Sequence, residues 1–509
     1  MNRQLISNNP NVITGIITRH QSSNLYKAML ESDEYYAIHN TEIMSARKNM
    51  VVTTETMVID EDGVSHIEDS FVIKEDKSKS NFKLPHGFHF ELVNQCTNFL
   101  TGRQVRLSWQ YDVPSDSLKG RINDILRDKN SWGKFNQAMT RDAQRYSVAY
   151  ARVSLDKDGD IRYDVVDPKQ VVTFKNEYGD IELVTVTRTM VEYNDKGQPR
   201  NVKYFDVYDD MYRDTYKYSN GWEKHNMDVP LLSKTTVMGS ETSSTALTWG
   251  KPPFIEWKGS DDDITSLEPI KPFIDMLDIT MSNWANDIED IQQMIWILKG
   301  YDGQDISDFM SDLNNKKAIK VGQDGDVRTE RSELPYEARK ELSALLTRSI
   351  YRFGRGIDFT DRSNLGNITG TGLKWSYELL EEKANEIEIN GQKALDDLFR
   401  FIFKYLEIKG LTEGHEFNVN NLNFIFDRSL MINEQENVDT AMKFATYGSL
   451  ETALAHTDWV EDPQEEMRRI EREGGVSDDT DIRRFESTQD AEEVTDETEI
   501  IEQPSRDTI

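Results

Sequence analysis

The stretch Ser266–Gly300, SLEPIKPFIDMLDITMSNWANDIEDIQQMIWILKG, organises the chain. Its apolar residues Leu267, Ile270, Ile274, Leu277, Met281, Trp284, Ile288, Ile291, Ile295 and Leu298 recur in steps of three and four. That spacing lays one apolar stripe along a single helix, predicted over 266–299 and roughly 45 Å long. Pro269 and Pro272 fall in or near its first turn, where proline is tolerated or bends the helix, and Gly300 stops it. A helix of that length spans something or packs lengthwise against copies of itself. The residues after Gly300 narrow the choice: a short polar insert, a second helix predicted from Pro335 to about Arg355, a Gly/Asn/Thr loop, and a long helix from about Thr371 to Ile408. This order suggests a channel wall rather than an active site.

On either side, the chain changes character. Residues 1–50 read as helical, MVVTTETMVI is β-leaning, and Phe88–Leu100 is a helix with Gly102 at its C-terminal end. Residues 117–147 read as one or two amphipathic helices. The runs VAYARVSL, IRYDVV, QVVTF, IELVTVTRTMVEY and NVKYFDVY are β-branched and aromatic, and DKDGD, DPK, NEYGD and NDKGQ separate them as turns. The strand-rich lobe ends near Pro252-Pro253. Between the two helices, DISDFMSDLN reads as a short helix, and KKAIKV and VRTER as a hairpin-like pair. Gly391 marks a bend in the long helix. Residues 435–474 read as helical, and from about Gly475 the chain is acidic, without apolar periodicity, and expected to be disordered.

A chain of 509 residues calls for two to four lobes. It is 37% hydrophobic and 30% charged, as in a protein with a polar surface, and no run of 18 apolar residues predicts a membrane span. The first twenty residues lack an apolar block of signal-peptide length, so a cytoplasmic start is expected. The single cysteine, Cys96, excludes an intrachain disulfide and reads as a core residue. Net charge is −31, of which −12 lies between Glu461 and Ile509. Such acidity argues against tight nucleic-acid binding, which needs Lys and Arg to release counterions. It is compatible with a wall that DNA slides past, and equally with solubility alone.

Motifs for chemistry fail on spacing. GNITGTGLK (366–374) is glycine-rich, but Lys374 does not directly follow the glycine and no apolar strand leads in. Asp156, Asp158 and Asp160 imitate a calcium loop, but the glycine is at 159 and Asp167 stands where a bidentate Glu is needed, so a tight turn is expected. His86 and His89 lack further ligands for zinc. No metal, no cofactor and no catalytic constellation is expected. Arg348, Arg352 and Arg355 form one basic face, read either as solvated or ion-paired to a neighbouring acidic helix, or as a contact to phosphate or to an adjacent subunit. Lys316, Lys317, Lys320, Arg328 and Arg331 make the insert between the helices locally basic, tempered by Asp302, Asp305, Asp308 and Asp312.

Several stretches in order resemble one family. They are YSVAYARVSLDKDGDIRYDVVDPKQVVTFKNEYG (146–179), NQCTNFLTGRQVRL within 90–107, PPFIEWKGSDDDITSLEPIKPFIDMLD (252–278) and SNLGNITGTGLKWSYELLEEKAN (363–385). Across residues 10–470 the chain resembles the portal proteins of tailed bacteriophages, of the type found in long-tailed phages of Gram-positive hosts. The resemblance implies an α+β portal fold assembled as a ring, a dodecamer in the virion, around a DNA tunnel at one capsid vertex, built in the host cytoplasm and without membrane contact. It implies a wing (1–265, strand-rich over 146–255), stem helix 1 (266–299), a clip (300–334), stem helix 2 (335–356), a tunnel loop (357–371), a long kinked helix (372–408), a crown (409–475) and an acidic tail (476–509). Implied partners are double-stranded DNA without sequence preference, the terminase large subunit, a head-completion or adaptor protein, and the major capsid and scaffolding proteins.

The residues fit those roles as expectations. Ser363, Asn364, Gly366, Asn367, Thr369, Gly370 and Thr371 would form the tunnel loop, since amides and hydroxyls bond phosphates without the grip of lysine. The clip lysines and arginines would meet partners. Leu277, Trp284, Ile288, Ile291 and Ile295 would pack stem against stem in a head-to-tail interface. Two other readings stay open: a phage head–tail component without a DNA channel, and a cytosolic hydrolase, which predicts a monomer or dimer.

Overall fold

A computed structural model of the chain describes residues 3–45, 49–59, 65–75, 80–110, 113–193, 196–238, 241–291, 295–299, 326–330, 336–359, 377–414, 418–428, 442–443, 445–446, 448–455, 460 and 463–472. They fall into two units, Met1–Ser429 and Leu430–Ile509. In the second, α11 (Leu450–Ala455) and α12 (Pro463–Arg472) pack on each other.

The first unit mixes helix and sheet. Its helices are α1 (Arg3–Asn8), α2 (Val12–Ser22), α3 (Asn24–Tyr36), α4 (Thr41–Ser45), α5 (Phe88–Thr101), α6 (Asp116–Asn123), α7 (Trp132–Tyr146), α8 (Lys271–Ile291), α9 (Tyr336–Phe353) and α10 (Glu378–Ile408). The β-runs build two antiparallel sheets. Strands β4 (Val148–Leu155), β5 (Ile161–Val166) and β13 (Phe254–Lys258) form one, in the order β13-β4-β5. Strands β6 (Val171–Lys175), β7 (Ile181–Tyr193), β8 (Pro199–Tyr208), β9 (Tyr212–Tyr218) and β10 (Trp222–Pro230) form the other, in the order β10-β9-β8-β7-β6. Smaller pairs are β1 (Asn49–Ile59) with β2 (Ser65–Glu75), and β11 (Leu232–Met238) with β12 (Glu241–Leu247). Further, β3 (Arg106–Trp109) pairs with β16 (Leu422–Ile425), and β14 (Ile295–Lys299) with β15 (Asp326–Glu330).

The triple aspartate is a turn, as its glycine position implied. Asp156 Oδ1 accepts the backbone N–H of Asp158 (3.0 Å) and of Asp160 (2.9 Å), and Gly159 takes φ +77°. Asn176 repeats the device between β6 and β7, with Gly179 at φ +87°. Both side chains imitate a backbone acceptor while glycine supplies the left-handed step.

Two readings need correction. The helix predicted over 266–299 begins at Lys271 and ends at Ile291; Ile295–Lys299 is a strand. IWILK is a continuous apolar run rich in β-branched and aromatic side chains, which fits an extended ladder as well as a helical stripe. Consequently VRTE pairs with IWILK, antiparallel, with Ile297 opposite Arg328; KKAIKV and the short helix DISDFMSDLN lie outside the described residues. Gly391, read as the site of a bend, lies within α10 and packs against the sheet. A Cβ there would come 2.3 Å from Cζ2 of Trp257 on β13, whose indole Nε1 donates to Ile387 O at 3.0 Å. The start expected at Thr371 falls among residues not described, and helix is observed from Glu378. Of the segment 409–475, Leu422–Ile425 adds to β3 within the first unit.

Candidate functional site

The site is built from α8, α9 and the stretch that leaves α9. The predicted stripe is real, but its first half is used within the chain. Leu267, Ile270, Ile274 and Leu277 are buried with Leu346, Ile350 and Tyr351 of α9, Leu92 of α5 and Tyr35 of α3. Leu277, expected to pack between subunits, is 3% exposed and is spent in this cluster. Towards its C-terminus the stripe opens: Trp284 is half-buried and Ile288 is 52% exposed. The helices run antiparallel. Phe273 stacks on Phe353 at one end (5.2 Å, 5°), while Trp284 meets Tyr336 edge-on (5.5 Å) and Arg339 pairs with Asp287 (2.6 Å) at the other.

A second face of α8 is polar at every fourth residue and holds an extended strap. Asp278 Oδ1 accepts the N–H of His86 (3.0 Å), Ser282 Oγ that of Leu84 (2.9 Å), and Asn286 Oδ1 that of Phe82 (2.6 Å). The spacing matches because four helical residues rise about 6 Å and two extended residues about 6.6 Å. Asp278 is buried and also accepts from His86 Nδ1 (2.6 Å) and Asn40 Nδ2 (2.5 Å), so its charge is met by three donor groups.

Helix α9 ends on an arginine in a glycine's conformation. Arg355 has φ 53°. Gly356 N donates to Tyr351 O (2.9 Å) and Arg355 N to Arg352 O (3.3 Å), which are the two closing bonds of a left-handed helix stop. A non-glycine residue in that region costs about 1–2 kcal/mol. Two contacts from α10 hold it: Lys383 Nζ donates to Gly354 O (3.3 Å) and Arg355 pairs with Glu386 (3.0 Å). Lys383 is buried, and burial pushes its amine below the ordinary lysine range. Burial first, then the nearby Lys383 and Arg145 charges, push His89 down to about 3, and its Nε2 bonds Ser32 Oγ (2.9 Å). Cys96 is fully buried, and burial raises its thiol. These groups are inward-facing parts of the core, as expected for Cys96. His86 and His89 have different partners, and among the described residues no group of three His, Cys, Asp or Glu is placed to hold a metal ion.

Arg348 and Arg352 lie on the exposed side of α9 and pair with no other described residue, whereas Arg355 is tied to Glu386. Arg328 lies on β15. Lys316, Lys317, Lys320, Arg331, Ser363, Asn364, Gly366, Asn367, Thr369, Gly370 and Thr371 lie outside the described residues. Ile291 ends α8 and Ile295 begins β14. A cleft of about 770 Å³ between the β6–β7 turn, β13 and α10 involves none of the predicted residues. Its Lys175 and Lys251 are paired to Glu256 and Asp397. Sequence reading missed the strap on α8, the buried Lys383 and the contacts of α5 with Ile357 and Tyr377. Asp278, Ser282 and Asn286, polar residues four apart on one face of α8, were a readable signal for the first.

No helix among the described residues is long and apolar enough to cross a membrane. The described residues thus build a mixed helix-and-sheet fold with an antiparallel two-helix seam, one helix of which carries Arg348 and Arg352 on its exposed side. A family model described as "Phage portal protein, SPP1 Gp6-like" matches residues 17–480, and the chain belongs to that phage portal family. It is 27% identical over 400 residues to a portal protein of Clostridium phage phiCD119, covering 75% of this chain and 83% of the relative. It is 27% identical over 411 residues to the portal protein of Bacillus phage SPP1, covering 78% and 77%. Among solved structures, a chain from the "Neck of native GTA particle computed with C12 symmetry" aligns with a TM-score of 0.37 at 14% identity, covering 72% of this chain and 86% of that one.

Proposed function

We propose that this portal-family chain assembles as a ring, a dodecamer in the virion, and forms the channel at the capsid vertex through which double-stranded DNA enters and leaves. The match of the family model over residues 17–480 carries this reading. Geometry supports it: the seam between α8 and α9 is closed within one chain at its inner end, while Ile288, Met276 and Ile279 remain exposed on α8 for contact with a neighbour. In this reading 1–265 is the wing and the α8–α9 pair the stem. Residues 300–334 are the clip, where Lys316, Lys317, Lys320, Arg328 and Arg331 meet the terminase large subunit and later an adaptor. Ser363, Asn364, Gly366, Asn367, Thr369, Gly370 and Thr371 contact DNA without sequence preference. Arg348 and Arg352 supply a phosphate-facing or neighbour-facing charge. The protein is a virion component that also contacts major capsid and scaffolding proteins; it hydrolyses no nucleotide itself.

Negative-stain electron microscopy with light-scattering mass tests this first. Rings of about a dozen copies around a central hole are expected. A monomer at all concentrations would refute the reading. With rings established, replacing Gly366–Gly372 by a neutral linker should abolish DNA packaging into proheads while ring mass is unchanged; unimpaired packaging would favour a head–tail component in which this loop does not meet DNA.

A further inference from the structure

One stripe of α5 holds three successive points of the chain. Glu91, Gln95 and Phe99 stand four apart, and helical spacing puts them on one face. Glu91 Oε1 accepts from Tyr351 Oη, near the end of α9, at 2.8 Å. Gln95 takes both backbone groups of Ile357: Nε2 donates to Ile357 O at 2.8 Å, and Ile357 N donates to Oε1 at 2.8 Å. Phe99 stacks on Tyr377 (5.7 Å, 20°), immediately before α10. Two glycines permit the approach. A Cβ on Gly356 would come 2.1 Å from Cδ2 of Leu92 and 2.8 Å from Oε1 of Gln95; one on Gly354 would come 2.5 Å from Cδ1 of Leu92. The opposite side of α5 is itself fastened, with Gln144 Nε2 of α7 donating to Thr97 Oγ1 at 3.0 Å.

We infer that α5 is the frame that fixes Ile357, after α9, and Tyr377, before α10, relative to each other, with Gln95 the positioning residue for the first and Phe99 for the second. A side-chain amide that pairs with both groups of one residue acts as a single rung of a β-ladder, so it sets both position and direction of the backbone it holds. Four residues of helix separate the two anchors by about 6 Å along α5. Ile357 and Tyr377 are thus referred to one rigid element instead of to two independent helix ends. The importance of this for DNA passage rests on the portal reading.

Hydrogen exchange by mass spectrometry on full-chain rings tests it, with ring mass and thermal midpoint as controls. Gln95→Met keeps the length and loses both bonds; amides of 357–359 should exchange about tenfold faster, the effect of losing roughly one bond's worth of protection. Gln95→Glu keeps the acceptor for Ile357 N and loses the donor, so a smaller acceleration is expected. Phe99→Leu should do the same for the amides that follow Tyr377 and leave 357–359 protected. Unchanged exchange at 357–359 in Gln95→Met overturns the inference. So does acceleration spread through all of α5, since Gln95 would then serve the helix and not Ile357. Packaging into proheads is read separately. Lost protection with normal packaging leaves the positioning role standing and refutes the DNA-facing reading of the segment.

Discussion

Gly391→Ala tests the packing of α10 on the sheet because helix propensity and tertiary contact predict opposite signs. In an exposed helix interior this change stabilises by about 1 kcal/mol. Here the new methyl would stand 2.3 Å from Cζ2 and 2.7 Å from Cε2 of Trp257, a side chain with 0% exposure. Reaching an ordinary carbon contact of ~3.5 Å requires a shift of about 1.2 Å. That shift pulls the indole Nε1 away from Ile387 O, now at 3.0 Å. Overpacking costs about 1–3 kcal/mol and a weakened buried hydrogen bond about 1 kcal/mol more. Net of propensity, Gly391→Ala should destabilise by about 1–3 kcal/mol, read as a lower urea midpoint by far-UV circular dichroism. Two controls isolate the cause. Gly120→Ala in α6 and Gly15→Ala in α2 meet nothing within 4 Å and should be neutral or stabilising. In a Trp257→Leu background, Gly391→Ala should lose its penalty. An unchanged or raised midpoint for Gly391→Ala alone, or the same penalty in both backgrounds, would refute the argument.

Removing the strap's acceptors one at a time should give a graded series. Asp278→Ala leaves three donor groups unmet and should cost about 3 kcal/mol, against about 1–2 kcal/mol for Asn286→Ala and Ser282→Ala; exchange should rise at the amide each one serves, and a uniform rise along 82–86 would contradict the one-to-one pairing. Asp142 predicts a pH effect. Burial raises its carboxyl to about 6, against partial opposition from Arg145 and Arg141. Because the folded pKa lies above the unfolded value of 3.8, ionisation opposes folding fully above pH 6, and the penalty is relieved as pH falls towards 4. A gap of about two pH units between the folded and unfolded values corresponds to about 3 kcal/mol. Asp142→Asn should therefore raise the melting temperature at pH 7, with the gain shrinking to nothing near pH 4; a gain independent of pH would contradict it.

Local chemistry was legible where the signal is local. The Asp156–Gly159 and Asn176–Gly179 turns carry their own acceptor and their own left-handed residue, so a few neighbouring side chains determine them. The helix read from Pro335 to about Arg355 is α9, Tyr336–Phe353. The β-branched runs became the strands of the two sheets. The candidate site was legible as elements and not as contacts. Arg348 and Arg352 were placed on one exposed helix face, but Arg355 turned out to be a helix stop tied to Glu386. Leu277 carried the right periodicity for a stripe, and periodicity does not say whether the stripe's partner is the same chain or another one.

By itself, the sequence determined which segments are apolar on one side, where glycine and asparagine enforce turns, and, through the order of those segments, membership in the portal family. The first two are encoded within a helical turn or a strand pair, and the third in the order of segments along residues 17–480. Only the tertiary structure decided that the stripe after Ile291 becomes a strand, because IWILK satisfies either geometry until Asp326–Glu330 supplies the missing ladder. It alone decided that Gly391 admits an indole and that Gln95 holds Ile357. Those contacts join residues more than a hundred positions apart. Their free energy comes from a fit between surfaces that do not exist until the chain has folded, so no local pattern encodes them.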